Sequence, residues 1–477
     1  MKMVTVIQDK DNIAVEQHII GLYKSQNTQS SSGQHWGEKE EKIFEPLLKK
    51  KRIKSTYGEI TSVMTEEGNI YYFIGLGKQK EQTIHSIRMA FSLFFTYHQD
   101  VMDGDLMIYW DTFQLSEKEA AQIGEVIATS QFKIQDYKEK TNKVERKFGH
   151  IFILTRLNQK ELKKQWHNGE VIGIAVNDAK HFMNIPASLH RTSDIIEKTE
   201  RWNEQPEFVV DVLEQTEIQQ LGMGGIASVI KSSKQSSQLL SISYIGSEGS
   251  SFDIALVGCG VLKSGQPLRK VGAATCLSVL DIVSNIKPRL NVLVIIPLIS
   301  ETECLVEGEI ICSYQGKTIE ITNKNEIEKL LLADAITFAN LKGARVICSI
   351  GSGQDRIREM LGDEIIPMFS NDCSLLKQLE QCAEHVGETV WSIPNYKPYL
   401  QQITTSHLAD LTNGNGEKAL PLTTGLFLQE FAEKTSWVHF NLEATGWRTS
   451  ENIDEEQGGT GKLVRTLAET ICSMKQA

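Results

Sequence analysis

Apolar and polar positions alternate in two rhythms along this chain. Up to about residue 155, short β-type runs (MVTVIQ, EITSVM, NIYYFIGLG, LMIYW and HIFILT) are separated by polar stretches, and Ser86–Phe95 repeats its apolar positions at helical spacing. This mixture predicts a first α/β unit. From Asn158 to Asn184 a charged stretch runs into GEVIGIAVNDAKHFMN, whose apolar spacing is helical, and Pro186 in NIPASLHRTSDI ends it. Beyond that point FVVDVL, LLSISYI, DIALVGCGVL, LNVLVIIPLI, RVICSI and WVHFNLEA are strand candidates, separated by helices such as Lys329–Ala339 and Thr424–Glu433. Runs this continuously apolar suit a sheet covered on both faces, so a second, larger, doubly wound α/β domain follows. The expected division is 1–157 for the first domain, 158–184 for a connecting helix and 185–477 for the second.

Length and composition agree with that division. A chain of 477 residues exceeds what one hydrophobic core usually organises, and 40% hydrophobic with 23% charged residues is ordinary for a packed globular protein. The net charge of −11 argues against nucleic acid as the main partner, since that binding needs a basic face. One basic run, KKKRIK at Lys49–Lys54, stands out and is read as a solvated helix end leading to the strand near Ile60. The stretch from Ser25 to Lys42, rich in Gln and Ser, is read as a loop.

The N-terminal MKMVTVIQDKDN has no signal-peptide core, and the longest apolar stretch, Val292–Ile299, is too short to span a bilayer, so a cytoplasmic protein without membrane contact is expected. The eight cysteines show no CxxC pair and no framework spacing; they are read as buried thiols of a reducing compartment.

Several collinear strings carry a family resemblance: FIGLGKQKEQTIHSIRMA, the helix 169–184 with its NIP turn, IALVGCGVLKSG, KVGAAT, GEIICSYQGKTIEITN, LLLADAITFA, HLADLTNG, LTTGLFLQEF, WVHFNLEATGW and GGTGKLVRTL. Together they resemble the leucyl (cytosol) aminopeptidase family along nearly the whole chain. The resemblance implies a macro-like N-terminal α/β domain and a larger C-terminal domain whose central mixed sheet is covered by helices. It also implies a homohexamer built as a dimer of trimers. In working members two divalent ions, Zn or Mn, activate a water that releases the N-terminal residue of a peptide, and four carboxylates with one neutral lysine hold the ions.

Carried over position by position, the resemblance leaves that ligand set empty. The ligand lysine falls on Cys259, one carboxylate on Lys263, and another on Lys270, or on Arg269 if the alignment is anchored on the alanines of KVGAAT. Counting back from Ala333, the remaining Asp and Glu fall on Asn325 and Ile327, and the catalytic arginine on Lys329. Replacing four anions and adding two cations changes the site charge by about six units where two divalent ions would sit. A unit pair at about 4 Å is worth roughly 4 kcal/mol at an effective dielectric of about 20, and a divalent ion doubles the repulsion. No bound metal and no other cofactor is therefore expected.

The expected function is that of a catalytically degenerate homologue acting as a structural or regulatory oligomer, with no protein partner indicated. Lys263, Lys270 and Lys329 are candidates for substrate or anion binding, with Glu326, Glu328, Glu301, Glu303 and Glu443 as partners for ammoniums buried in the old cavity. The competing expectation is an active metallo-aminopeptidase with a rearranged Mn or Zn site, in which a one-residue slip offers Glu326 and Glu328 as ligands. A DNA-binding or anion-binding hexamer is a further alternative, supported only by KKKRIK and the three lysines. Cys259 as a nucleophile would need a histidine neighbour that the sequence does not mark; a buried thiol on a core strand is the simpler reading. His439 is expected to be a core or interface residue, and Asp334 a helix-packing residue whose burial demands a partner.

Overall fold

A computed structural model describes residues 4–8, 13–24, 38–98, 102, 104–134, 148–231, 237–300, 305–353, 356–414, 419–449 and 457–474. The chain forms two compact units, one up to Ile174 and the other from Ala175 onward.

In the first unit β1 (Val4–Ile7), β2 (Gln17–Tyr23), β3 (Ile60–Met64), β4 (Ile70–Gly77), β5 (Gly104–Tyr109) and β6 (Phe148–Leu154) form one sheet in the order β1-β6-β5-β2-β4-β3. Only β3 runs antiparallel to its neighbour. Helices α1 (Glu38–Lys49), α2 (Ile84–His98) and α3 (Ala120–Thr129) accompany it. Aromatic side chains of α2 (Phe91, Phe94 and Phe95) fill the core together with Ile19, Ile74, Ile108 and Trp110.

One expectation for this unit needs correction. The polar stretch 25–42 is not all loop, because α1 begins at Glu38; the Glu and Lys of GEKEEK precede the apolar Phe44, Leu47 and Leu48, which give the helix a face to bury. Residues 25–37 lie outside the described ones. The lysine run does start at a helix end, Lys49, as its composition suggested.

Helix α4 (Gln159–Asn184) is one continuous element of 26 residues, and the boundary between the compact units falls inside it. The second unit then gives α5 (Thr192–Asn203), β7 (Phe208–Leu213), α6 (Gln215–Gln220), α7 (Gly224–Lys231), β8 (Gln238–Ile245), β9 (Ile254–Gly258), the short β10 (Gly260–Val261), α8 (Val271–Ile286) and β11 (Asn291–Ile299). There follow β12 (Ile310–Cys312), β13 (Thr318–Glu320), α9 (Ile327–Leu341), β14 (Val346–Gly351), β15 (Ile365–Ser370), β16 (Thr389–Ser392), β17 (Leu411–Thr412) and β18 (Ser436–Asn441). The central sheet is mixed, with the order β16-β15-β18-β14-β9-β11-β8-β7 and a parallel interior of β18, β14, β9 and β11.

Side-chain alternation along β9 divides the core. Ala255 and Val257 face the cluster built by α9 and the helix Leu420–Ala432, while Gly258 faces α8. On α9 every residue from Ile327 to Ala339 is buried, as expected of a helix that packs on all sides rather than along one stripe. No helix among the described residues is long and apolar enough to cross a membrane.

Of the cysteines, Cys312, Cys373 and Cys472 are exposed, so the expectation of buried thiols holds only for Cys259, Cys276, Cys348 and Cys382; Cys304 lies outside the described residues. Spacing alone carries no signal for which face of an element a lone cysteine occupies.

Asp334, fully buried on α9, finds the partners its burial demands. Its carboxylate accepts the backbone N–H of Ile226 at 2.9 Å and of Tyr314 at 2.8 Å, tying α9 to the first turn of α7 and to the turn after β12. Burial raises its pKa to about 6, against the two hydrogen bonds that lower it. Asp334→Ala should therefore destabilise the protein by about 2–4 kcal/mol, since two buried N–H donors lose their acceptor. A carboxyl whose folded pKa lies above its unfolded value contributes most when protonated. The loss measured by denaturant titration should accordingly be larger near pH 4 than near pH 7.

Candidate functional site

Parallel strands of α/β sheets leave their carboxyl ends open between helices, and the candidate site lies at those ends of β9 and β14. Its geometry begins with two glycines. A Cβ on Gly258 would lie 2.5 Å from the Gly272 carbonyl, and a Cβ on Gly272 would lie 2.8 Å from both Cys259 N and Ile350 O. Only bare backbone fits, which is the physical content of the GCG and VGAA strings. The Cys259 carbonyl then accepts the N–H of Ala273 at 3.1 Å, fixing Cys259 beside the first turn of α8.

Glu328, in the first turn of α9, joins these strand ends. Its carboxyl takes the Cys259 thiol at 3.2 Å, the Ser352 N–H at 2.8 Å and the Ser352 hydroxyl at 3.1 Å. Burial raises the Glu328 pKa, opposed by the Ser352 hydrogen bonds and the charge of Arg269. The Cys259 thiol is pushed far above its ordinary value by burial and by the carboxyl beside it. A thiol held protonated and fully buried is not a nucleophile.

The next residue, Lys329, is buried, paired with Glu326 at 3.5 Å, and its ammonium reaches the Asn413 carbonyl at 3.4 Å. Asn413, from HLADLTNG, also holds the strand-to-helix connection: its side-chain oxygen accepts the N–H of Thr322 and Asn323 at 2.8 and 3.0 Å, and its amide donates to the Asn323 carbonyl at 2.8 Å. His439 on β18 lies with Nδ1 3.0 Å from the Ser349 hydroxyl, and burial lowers its pKa to about 3, so it is a neutral core imidazole.

The side chains expected to share one site divide between two neighbouring cavities. The first, about 220 Å³, is bounded by Arg269, Asn325, Glu326, Glu328, Ser352 and Glu443. Arg269 donates to the Asn325 carbonyl at 3.2 Å, and burial raises the pKa of Glu443. The second cavity, about 290 Å³, contains Lys263 and Lys270 and shares the Gly265–Pro267 wall with the first. Lys270 is buried yet has no carboxylate partner of the kind anticipated; its ammonium donates to the Ile185 carbonyl at 2.5 Å, and burial lowers its pKa to about 8. Lys263 is only half-buried. Of the anticipated partners, Glu326 meets Lys329 alone, Glu328 meets a thiol and a serine, and Glu301 and Glu303 lie outside the described residues.

A dinuclear metal site does not fit the residues present. Cys259 is occupied by Glu328, Ile327 offers no donor, and Lys263 and Lys270 carry positive charge. Glu326 and Glu328, the fallback pair, are engaged by a lysine and by a thiol and serine. Among the described residues no group of three or more His, Cys, Asp or Glu side chains is placed to hold a metal ion. Ser352, Asn413 and Gln266 were not singled out from the sequence. Ser352 follows a strand end, where a functional donor is expected in such sheets; the other two carried no local signal.

Cys259 should resist alkylation in the native protein and react only on unfolding, as read by mass spectrometry of iodoacetamide-treated samples. Glu328→Ala should cost about 2–3 kcal/mol of stability by leaving the Ser352 N–H and its neighbours unpaired, and Glu328→Gln should cost less because one carbonyl oxygen remains.

Comparison with known proteins agrees with this architecture. The family described as "Cytosol aminopeptidase family, catalytic domain" matches residues 177–468, and its N-terminal domain matches residues 19–141. A probable cytosol aminopeptidase of Bacillus licheniformis is 30% identical over 447 residues, covering 88% of this chain and 90% of its own. One of Bacillus subtilis is 29% identical over 421 residues, covering 83% of each. Among solved structures, a mutant of tomato leucine aminopeptidase superposes with a TM-score of 0.86 at 19% identity, over 99% of this chain and 96% of that one. The bottromycin maturation enzyme BotP in complex with Mn gives 0.80 at 18% identity, over 96% and 99%. By its fold and its sequence, the chain belongs to the cytosol aminopeptidase family.

Proposed function

We propose that this chain is a member of the family that has lost peptide hydrolysis and serves as a structural or regulatory oligomer. The observation that carries the reading is Glu328. Its carboxyl is committed to Cys259 and Ser352 at the strand ends, so the place of a metal–ligand network is taken by a protein hydrogen-bond network. Lys329, at the position of the family's catalytic arginine, is paired with Glu326 and turned to a backbone carbonyl. Neither group is free to orient a water or a substrate.

A second reading rests on the relatives, which are named as probable cytosol aminopeptidases at 29–30% identity. In it, Glu326 and Glu328 leave their partners and receive Mn or Zn, since both line the same cavity. Breaking the Glu328 cluster and the Lys329 pair opposes this, because each leaves a buried polar group unpaired.

The discriminating experiment is hydrolysis of leucyl p-nitroanilide by metal-stripped protein after reloading with Mn or Zn, with metal content measured on the same sample. Background turnover and less than one metal per chain are expected. Two metals per chain with chelator-sensitive turnover would establish the second reading.

Retained elements around a remodelled site favour assembly as the property preserved, and a homohexamer arranged as a dimer of trimers is proposed. Light scattering at micromolar concentration should give the mass of six chains. A monomer would remove the structural role.

A further inference from the structure

The Lys263–Lys270 cavity has a different chemistry from its neighbour. Arg269 in the first cavity is accompanied by Glu326, Glu328 and Glu443, whereas the second is lined by two lysines and by no carboxylate among the described residues. Lys270 is 2% exposed, and its ammonium, which has three N–H donors, makes one hydrogen bond, to the Ile185 carbonyl. Its other near contact is the face of Phe182, 5.8 Å away. A carbonyl dipole and a ring quadrupole stabilise a buried cation only in part, and the usual solution is an anion. Lys263, on the same wall, forms no ion pair with a described carboxylate. Gln266, shared by both cavities, has a buried amide end without a hydrogen-bond partner. Oxygen and nitrogen of an amide interchange by a flip, so this position can present a donor to the cavity.

The remainder of the wall is mixed, with Asn184, Ser188 and Ser264 beside an apolar part. The apolar part is formed by Met183, Ile185, Pro186, Val261, Pro267 and Trp447, whose indole gives an aromatic or aliphatic body a surface to pack on. At about 290 Å³ the space lies at the lower edge of the range for small-molecule sites. Inorganic phosphate would satisfy the lysines and leave the apolar wall uncovered; an organic acid satisfies both.

We propose that the cavity between the Asn184–Ser188 turn, Lys263, Lys270 and Trp447 is a binding site for a small organic monocarboxylate with an apolar body. The carboxylate lies between the two ammoniums and accepts from both, and the body packs on Trp447. The chain thus carries an anion-binding site distinct from the Glu328 cluster, with Lys329 excluded from it by its pairing with Glu326. The inference rests on the reading that no metal pair occupies this region, because two divalent ions would displace or deprotonate both lysines.

The test uses full-length protein in EDTA, with phenylacetate, phenylacetamide and inorganic phosphate as probes in calorimetric titration. Phenylacetate should bind at least about ten-fold more tightly than the uncharged amide and than phosphate, the loss expected when a charge-assisted hydrogen bond or the apolar contact is removed. Lys263→Gln should weaken phenylacetate about ten-fold, and Lys270→Gln should weaken it further. If Lys270→Gln does not fold, Lys263→Gln alone decides. Equal binding of phenylacetate and phenylacetamide, preference for phosphate, no binding of any probe, or unchanged affinity in Lys263→Gln would each overturn the proposal. Mn-dependent hydrolysis would instead overturn the inactive reading, and titration in EDTA keeps the two failures distinguishable.

Discussion

A buried carboxyl must be given donors or a proton, and in this chain Glu328 is given donors at the point where the central sheet opens. Its partners come from two adjacent parallel strands: Cys259 just beyond β9, and Ser352 just beyond β14. The Gly258–Gly272 contact, which admits no side chain, holds the Cys259 backbone against α8 and so fixes one of those partners. The other is fixed by the register of β14 between β9 and β18. With both strand ends anchored, α9 has only one depth at which Glu328 meets its donors, and Asp334 two turns later meets its own. The same helix therefore carries one polar anchor at its head and one near its middle.

The family fold is kept around these side chains. A dinuclear site works as an electrostatic keystone, with anionic ligands that repel one another unless the ions are present. Here Glu326 is engaged by a lysine and Glu328 by a thiol and a serine, while one buried oxygen of Glu443 has no hydrogen-bond partner among the described residues. Positive charge from Lys263 and Lys270 is gathered on the other side of the Gly265–Pro267 wall. Arg269 stays with the carboxylates of the first cavity, so only the second holds cations without a carboxylate among the described residues.

Much of the fold was legible in the sequence because its strands are nearly continuous apolar runs. LNVLVIIPLI, RVICSI and WVHFNLEA mark β11, β14 and β18, and the LLLADA string marks α9 with its buried Asp334. Strand β2 (QHIIGLY) and helix α3 do not stand out in the sequence, the first because it is polar at its start, the second because its buried face includes Gln122 and Glu125. The cluster around Glu328 was not legible. Glu328 and Ser352 are 24 residues apart and Glu328 and Cys259 are 69 apart, distances over which no local pattern speaks. Nor does the sequence reveal that Lys270 would find a backbone carbonyl instead of a carboxylate, since that depends on where the turn after α4 lies.

The central claim is that protein hydrogen bonds have replaced a metal pair at these strand ends. Anomalous diffraction from a crystal soaked in Mn tests it most directly. The account predicts no anomalous peak in the cavity bounded by Arg269, Glu328 and Glu443, with the Glu328 carboxyl still bonded to Ser352. Two peaks roughly 3.5–4 Å apart, the spacing of two-metal sites, with Glu326 or Glu328 turned toward them, would contradict it.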